Sequence, residues 1–197
     1  MARMTFGNTN MPKFCMQSLV RLVAKSKIVL VELLDYNIVD LISVCLRGDD
    51  VELIYWAAGL MHEFVLKDVA SNQFRAIKGI HTILAGLLSA EEMYISRVVL
   101  RTIKFMAYGD ESFRQGMVKT NIVKKIMHCL AINDDDVRYW ATLCVHAVAS
   151  QVESHRDILT APEFEFLLEL ALSKKVHAAI FVADILSLIC CICKLRV

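Results

Sequence analysis

Asn37-Ile38-Val39-Asp40-Leu41-Ile42-Ser43-Val44-Cys45-Leu46 is answered 42 residues later by Gly79-Ile80-His81-Thr82-Ile83-Leu84-Ala85-Gly86-Leu87-Leu88. The same step of 42 leads to Asn121-Ile122-Val123-Lys124-Lys125-Ile126-Met127-His128-Cys129-Leu130, and again to Glu163-Phe164-Glu165-Phe166-Leu167-Leu168-Glu169-Leu170-Ala171-Leu172. In the first copy Ile38, Leu41, Ile42, Cys45 and Leu46 fall at i, i+3, i+4, i+7 and i+8, which lays one apolar stripe along a helix. Ile80, Ile83, Leu84, Leu87 and Leu88 repeat it, as do Phe164, Leu167, Leu168, Ala171 and Leu172. The third copy departs once, at Lys125, whose long stem can snorkel to the edge of the stripe unless the helix is rotated. A fixed period of this length is the mark of an α-solenoid, in which each unit buries its apolar face only against its neighbours.

A second landmark supports the frame. Tyr55-Trp56-Ala57 with His62 recurs 84 residues on as Tyr139-Trp140-Ala141 with His146. Val98-Val99 and Val182-Ala183 fill the other copies, so one slot takes a large apolar group and the next a small one. Asp50 and Asp136 precede these helices and are candidate caps. Each unit then reads as three helices, with repeats at about 10–48, 49–90, 91–132 and 133–174 and a partial fifth at 175–193. The predicted fold is all-α, one right-handed solenoid spanning residues 1–197.

Composition fits this and excludes several classes. Hydrophobic residues make up 56% of the 197, with only two prolines, and no hairpin dipeptides separate β-branched runs. With 22 basic and 21 acidic residues the net charge is +1, which gives no electrostatic footprint for nucleic acid. The N-terminal residues 1–12 lack the apolar core of a signal peptide. Residues 176–193 are apolar enough to suggest a membrane span, but Asp184 near the middle argues against one. Cys45 and Cys129 share a repeat slot with Leu87 and Ala171, a small core position rather than a disulfide site. Reduced thiols predict a cytoplasmic or nuclear location.

Three helices over 42 residues, with Gly or Asn before the long third helix and Leu-Leu closing it, resemble armadillo repeats across about residues 10–193. HEAT repeats, with two longer helices at a similar period, are the neighbouring alternative. The resemblance implies a groove lined by third helices that holds an extended peptide or a protein partner. Residues placed to line it are Asp40, Ser43, Thr82, Lys124, His128, Glu165 and Glu169. The chain departs from the best-known groove: third helices carry no ladder of Asn, and both tryptophans belong to first helices. Import-cargo recognition of that type is therefore not expected.

Chemistry is sparse. Cys190-Cys191-x-Cys193 offers soft ligands, but a closed zinc site needs four at defined spacing and no second pair matches. His62 and His146 sit in equivalent slots 84 residues apart, with a whole repeat between them, which fits packing rather than catalysis. His177 and Asp184, seven apart, suggest a His–carboxylate pair on one helix face. No phosphate loop, nucleophile elbow or zinc-protease motif occurs. The expectation is a non-catalytic interaction scaffold or adaptor without metal or cofactor, which self-associates if its uncapped C-terminal end is left exposed. The alternative is a regulatory armadillo segment of a larger enzyme, of lipase or ubiquitin-ligase type.

Overall fold

The computed structural model describes residues 10–88, 91–172 and 176–194, and among these every regular element is helical. Residues 1–9, most of the N-terminal segment read as lacking a signal-peptide core, and the side chain of Cys193 fall outside what is described. The chain divides into two compact units at Phe74 and Arg75, inside a short middle helix rather than at a repeat boundary.

The first unit contains α1 (Met11–Lys25), α2 (Lys27–Leu33), a 3-10 turn (Leu34–Tyr36), α3 (Ile38–Cys45), α4 (Val51–Leu66) and the start of α5 (Ser71–Arg75). Helices α1 and α3 both pack on α4. Val23, Leu30, Ile42, Leu60, Met61, Phe64 and Phe74 form the core, with the Phe64 and Phe74 rings 5.5 Å apart. Full burial of one such aliphatic or aromatic side chain stabilises by roughly 1.5–3 kcal/mol.

The second unit runs through α6 (Ile80–Leu87), α7 (Met93–Ala107), α8 (Glu111–Val118), α9 (Ile122–Cys129), α10 (Asp135–Ala149), α11 (His155–Leu159), α12 (Phe164–Ala171) and α13 (Val176–Lys194). Helix α10 lies between α7 and α13, and Leu100, Ile103 and Met106 of α7 and Ala141, Val145 and Val148 of α10 are buried in the core of this unit. The Cys144 thiol is fully buried and donates to the Leu100 carbonyl at 3.2 Å. Burial pushes this thiol up, and the Cys129 thiol up to about 12, so both behave as small core groups.

The 42-residue register survives in the backbone. Helices α3, α6, α9 and α12 are each eight residues long and begin at Ile38, Ile80, Ile122 and Phe164. The chain enters α3 and α6 through left-handed residues, Asn37 at φ 52° and Gly79 at φ 74°. Asn and Gly tolerate that region best, which explains the residue types in this slot. Asn121 and Glu163 occupy the same slot at φ −78° and −75°, so the later two helices are entered without the left-handed bend.

Two first helices are capped by aspartate. Asp50 accepts from the Leu53 N–H at 3.1 Å, as predicted. For α10 the cap is Asp134, which accepts from the Val137 N–H at 2.9 Å, while Asp136 lies inside the first turn. Asp134 is the residue with an extended backbone, the geometry that brings a side-chain oxygen to the free N–H groups. Each cap is clasped by a cation from the preceding first helix. Lys13 lies 3.0 Å from Asp50 and 3.5 Å from Glu52. Arg97 lies 2.6 Å from Asp134 and 3.6 Å from Asp136. Both caps are held below the usual carboxylate range, chiefly by the backbone N–H they accept.

The predicted stripes hold in part. Ile42 and Leu46, Leu84 and Leu88, and Ile126 and Leu130 are buried, but Leu41 is exposed. Lys125 is half-buried on an unrotated α9, whose Ile122, Ile126 and Cys129 face the core, as snorkelling requires. The fourth stripe departs from expectation. On α12 only Leu167 is buried, whereas Leu168 is 40% and Leu172 89% exposed. Among the described residues no helix is long and apolar enough to cross a membrane, and Asp184 of α13 is exposed.

Candidate partner-binding face

The seven predicted lining residues divide between the units. In the first, Asp40 is exposed in the first turn of α3. Ser43 differs from expectation: it is buried, and the Arg47 guanidinium donates to both its hydroxyl and its carbonyl. The following arginine folds back one turn and closes this position. In the second unit Thr82 on α6, Lys124 and His128 on α9, and Glu165 and Glu169 on α12 are all exposed.

Lys124 and His128 stand at i and i+4, one above the other on α9. They edge a polar cleft of about 480 Å³ whose other wall is the segment from α11 to α12, through Asp157, Thr160, Pro162 and Glu163. Lys124 Nζ is 3.8 Å from Asp157 Oδ1, and His128 Nδ1 is 3.1 Å from Glu163 Oε1. Glu163 is mostly buried and Asp157 partly so, while the Lys124 and His128 side chains are largely exposed. The cleft therefore has fixed acidic groups at its back and movable basic groups at its lip. Exposed ion pairs of this kind contribute little to stability, so the basic groups can exchange partners at small cost.

Asp157, Glu163 and Lys125 belong to the cleft but were not among the predicted lining residues. Lys125 carried a signal, since it broke an otherwise apolar stripe. The two acids carried none, because their place depends on how the α11–α12 connection meets α9.

On the far end of α6, His81 is half-buried. Its ring lies 4.5 Å from the Phe113 ring, with Nε2 3.0 Å from the Phe113 carbonyl. Burial lowers its pKa, opposed in part by that carbonyl. Gly116 leaves the space the ring needs, for a Cβ there would sit 2.4 Å from its Cε1.

His146, Asp184 and Trp140 are engaged by side chains of neighbouring helices. His146 stacks edge-on against Phe181, with ring centroids 5.3 Å apart, and its Nε2 is 3.9 Å from Asp184. Asp184 thus pairs with His146 on the neighbouring helix, not with His177 on its own. Seven residues on one helix span two turns, too far for direct contact, whereas the packed neighbour is close. Trp140 lies under Arg101, whose guanidinium carbon is 5.1 Å from the ring, and the adjacent Ala141 is fully buried. Among the described residues no three His, Cys, Asp or Glu side chains converge to hold a metal ion.

No protein-family model and no curated protein sequence matches this chain. Solved structures do. A computationally designed armadillo repeat protein for modular peptide recognition superposes with a TM-score of 0.79 at 13% identity, covering 93% of this chain and 78% of that one. A designed armadillo repeat protein in complex with the peptide (KR)4 gives 0.76 at 13% identity, covering 93% and 77%. An engineered protein gives 0.77 at 20% identity, covering 94% and 75%. The fold is an armadillo-like helical solenoid.

Proposed function

We propose that this chain is a non-catalytic scaffold that binds an extended peptide or a protein partner along the third-helix face of its second unit. The observation that carries the reading is the change of charge from Lys124 and His128 on α9 to Glu165 and Glu169 on α12, all exposed. Charge placed in this way selects a partner's register and orientation more than it adds affinity. An acidic residue of the partner faces Lys124 and His128, and a basic residue faces Glu165 and Glu169. The designed armadillo repeat protein in complex with (KR)4, a highly charged peptide, supports a peptide-binding role for this fold. Asp40 on α3 is a further lining candidate in the first unit; buried Ser43 is withdrawn from the set. Cysteine in core slots fits a cytoplasmic or nuclear scaffold.

The test is fluorescence anisotropy with three labelled octapeptides: (KR)4, an all-acidic octamer, and one with four acidic residues followed by four basic ones. The mixed peptide should bind tightest, in a salt-dependent way, and Lys124→Ala with His128→Ala should weaken it several-fold. Equal binding of all three peptides, or unchanged binding in the double variant, would remove this face as the site.

A further inference from the structure

Two apolar slots that are buried in the inner helices are exposed on α1 and on α12. On one side, Leu84 and Leu88 of α6 and Ile126 and Leu130 of α9 are buried under the helices that follow. Their counterparts on α12 are Leu168 and Leu172, which are exposed. On the other side, Phe64, Met106 and Val148 are fully buried in first helices, and their counterpart on α1 is Leu22, 55% exposed. Phe14 and Met11 of α1 are exposed as well, although Trp56 and Trp140 in the slot of Phe14 are half-buried and Ile95 and Val137 in that of Met11 are buried.

The two open faces also differ in charge. Helix α12 is Phe-Glu-Phe-Leu-Leu-Glu-Leu-Ala, with two acids and no base, and Glu165, Leu168, Glu169 and Leu172 share one exposed face. Helix α1 carries Lys13, Arg21 and Lys25 and no acid. Lys13 is engaged with Asp50 and Glu52, while Arg21 and Lys25 are exposed beside Leu22.

We propose that copies of this chain associate head to tail, the Leu168–Leu172 face of α12 on one copy seating the Met11, Phe14 and Leu22 face of α1 on the next. Apolar contact drives the association, and Glu165 and Glu169 against Arg21 and Lys25 set its polarity. A second copy is the occupant because every molecule carries both halves of the joint, each with the slot and the charge the other lacks. Such a contact is heterologous, so each added copy leaves a fresh end, and growth stops only if the stack closes into a ring.

Sedimentation velocity on the whole chain across a wide concentration range tests this. The mass should rise with concentration past twice the 22.3 kDa of one chain. Leu172→Glu and Leu22→Glu, both at exposed positions, should each remain folded by circular dichroism and sediment as monomers. Mixed together they should form a 1:1 dimer and nothing larger, because each supplies the one intact face the other needs. A wild-type chain that stays monomeric at every concentration overturns the proposal. So does a Leu22→Glu variant that still dimerises while Leu172→Glu does not, which would mean a two-fold contact through α12 alone. Mixing that yields only monomers overturns it too. Leu22→Glu removes the joint from α1 without touching α12, so this variant should sediment as a monomer and still bind the mixed peptide; loss of the joint and loss of peptide binding are thereby read separately.

Discussion

Helices α9 and α12 are copies of one segment, yet they sit in their surroundings differently. On α9 the third and fifth positions of the stripe, Ile126 and Leu130, are fully buried; on α12 the same positions, Leu168 and Leu172, are exposed. Helix α12 instead buries Leu167, one residue earlier, and so presents a face turned by about 100° to its core, the step of one helical residue. The difference comes from the neighbours. Helix α9 is covered by α10 and α11, whereas α12 meets α13 and no following pair among the described residues. A repeat's slot fixes where a helix lies along the chain. Burial depends on what is stacked against it.

The largest expected effect comes from carrying one substitution across the comparison. Leu84→Ala and Ile126→Ala should each cost about 2–5 kcal/mol, as large-to-small changes in a packed core do. At concentrations where the chain is monomeric, Leu172→Ala should lie within about 0.5 kcal/mol of the parent, as surface substitutions do. Urea denaturation of the three variants reads the difference, and a large loss at Leu172 would mean that α12 is covered in solution. A smaller effect sharpens how closely the inner elements fit. Gly116→Ala drives a methyl into the His81 ring and should cost about 1–3 kcal/mol, the range for overpacking. Combined with His81→Ala, that penalty should shrink, since the obstruction is gone; equal penalties in the two backgrounds would refute the contact.

The smallest effect concerns the helix starts. Asp134→Ala removes a cap and should cost about 1 kcal/mol. Glu163, at the start of α12, makes no side-chain cap bond, so Glu163→Ala should cost less through that route. Asp134 has a folded pKa below its unfolded value, so its contribution is complete above the unfolded pKa and disappears as pH falls through the folded one. The gap between Asp134→Ala and the parent should therefore be full at pH 7, begin to narrow near the ordinary carboxylate value of about pH 4, and close as pH falls through the lower folded value. A gap that does not change between pH 7 and pH 3 would show that the carboxylate is not the source.

Much of this fold could be read from the chain because solenoid contacts are local and recur. The period placed α3, α6, α9 and α12 within a residue of their ends, and the Asn-or-Gly slot marked two left-handed entries at Asn37 and Gly79. The cap of α10 was also within reach. Two periods beyond Asp50 stands Asp134, and only its lying within a run of three aspartates drew the choice to Asp136. Features that depend on one side chain meeting another were not legible. Ser43 reads as an outward polar residue until Arg47 folds over it. The acidic wall of the cleft depends on how the α11–α12 connection approaches α9. The turned face of α12 depends on what does not pack there, which no local pattern encodes.

The clasps at the helix starts define a longer unit than the repeat itself. Lys13 with Asp50 and Glu52, and Arg97 with Asp134 and Asp136, are one three-residue arrangement displaced by 84 positions. The copy between them reads Tyr55 with Glu92 and has no side-chain cap. Trp56, Val98, Trp140 and Val182 alternate in the same way. The interchangeable cassette of this protein is thus a pair of dissimilar repeats, odd with even. A chimera that splices in or excises a single repeat would set two odd or two even members side by side, so that Lys13, for example, would meet Glu92 and Tyr94 in place of Asp50 and Glu52. Exchange in blocks of two keeps every clasp intact.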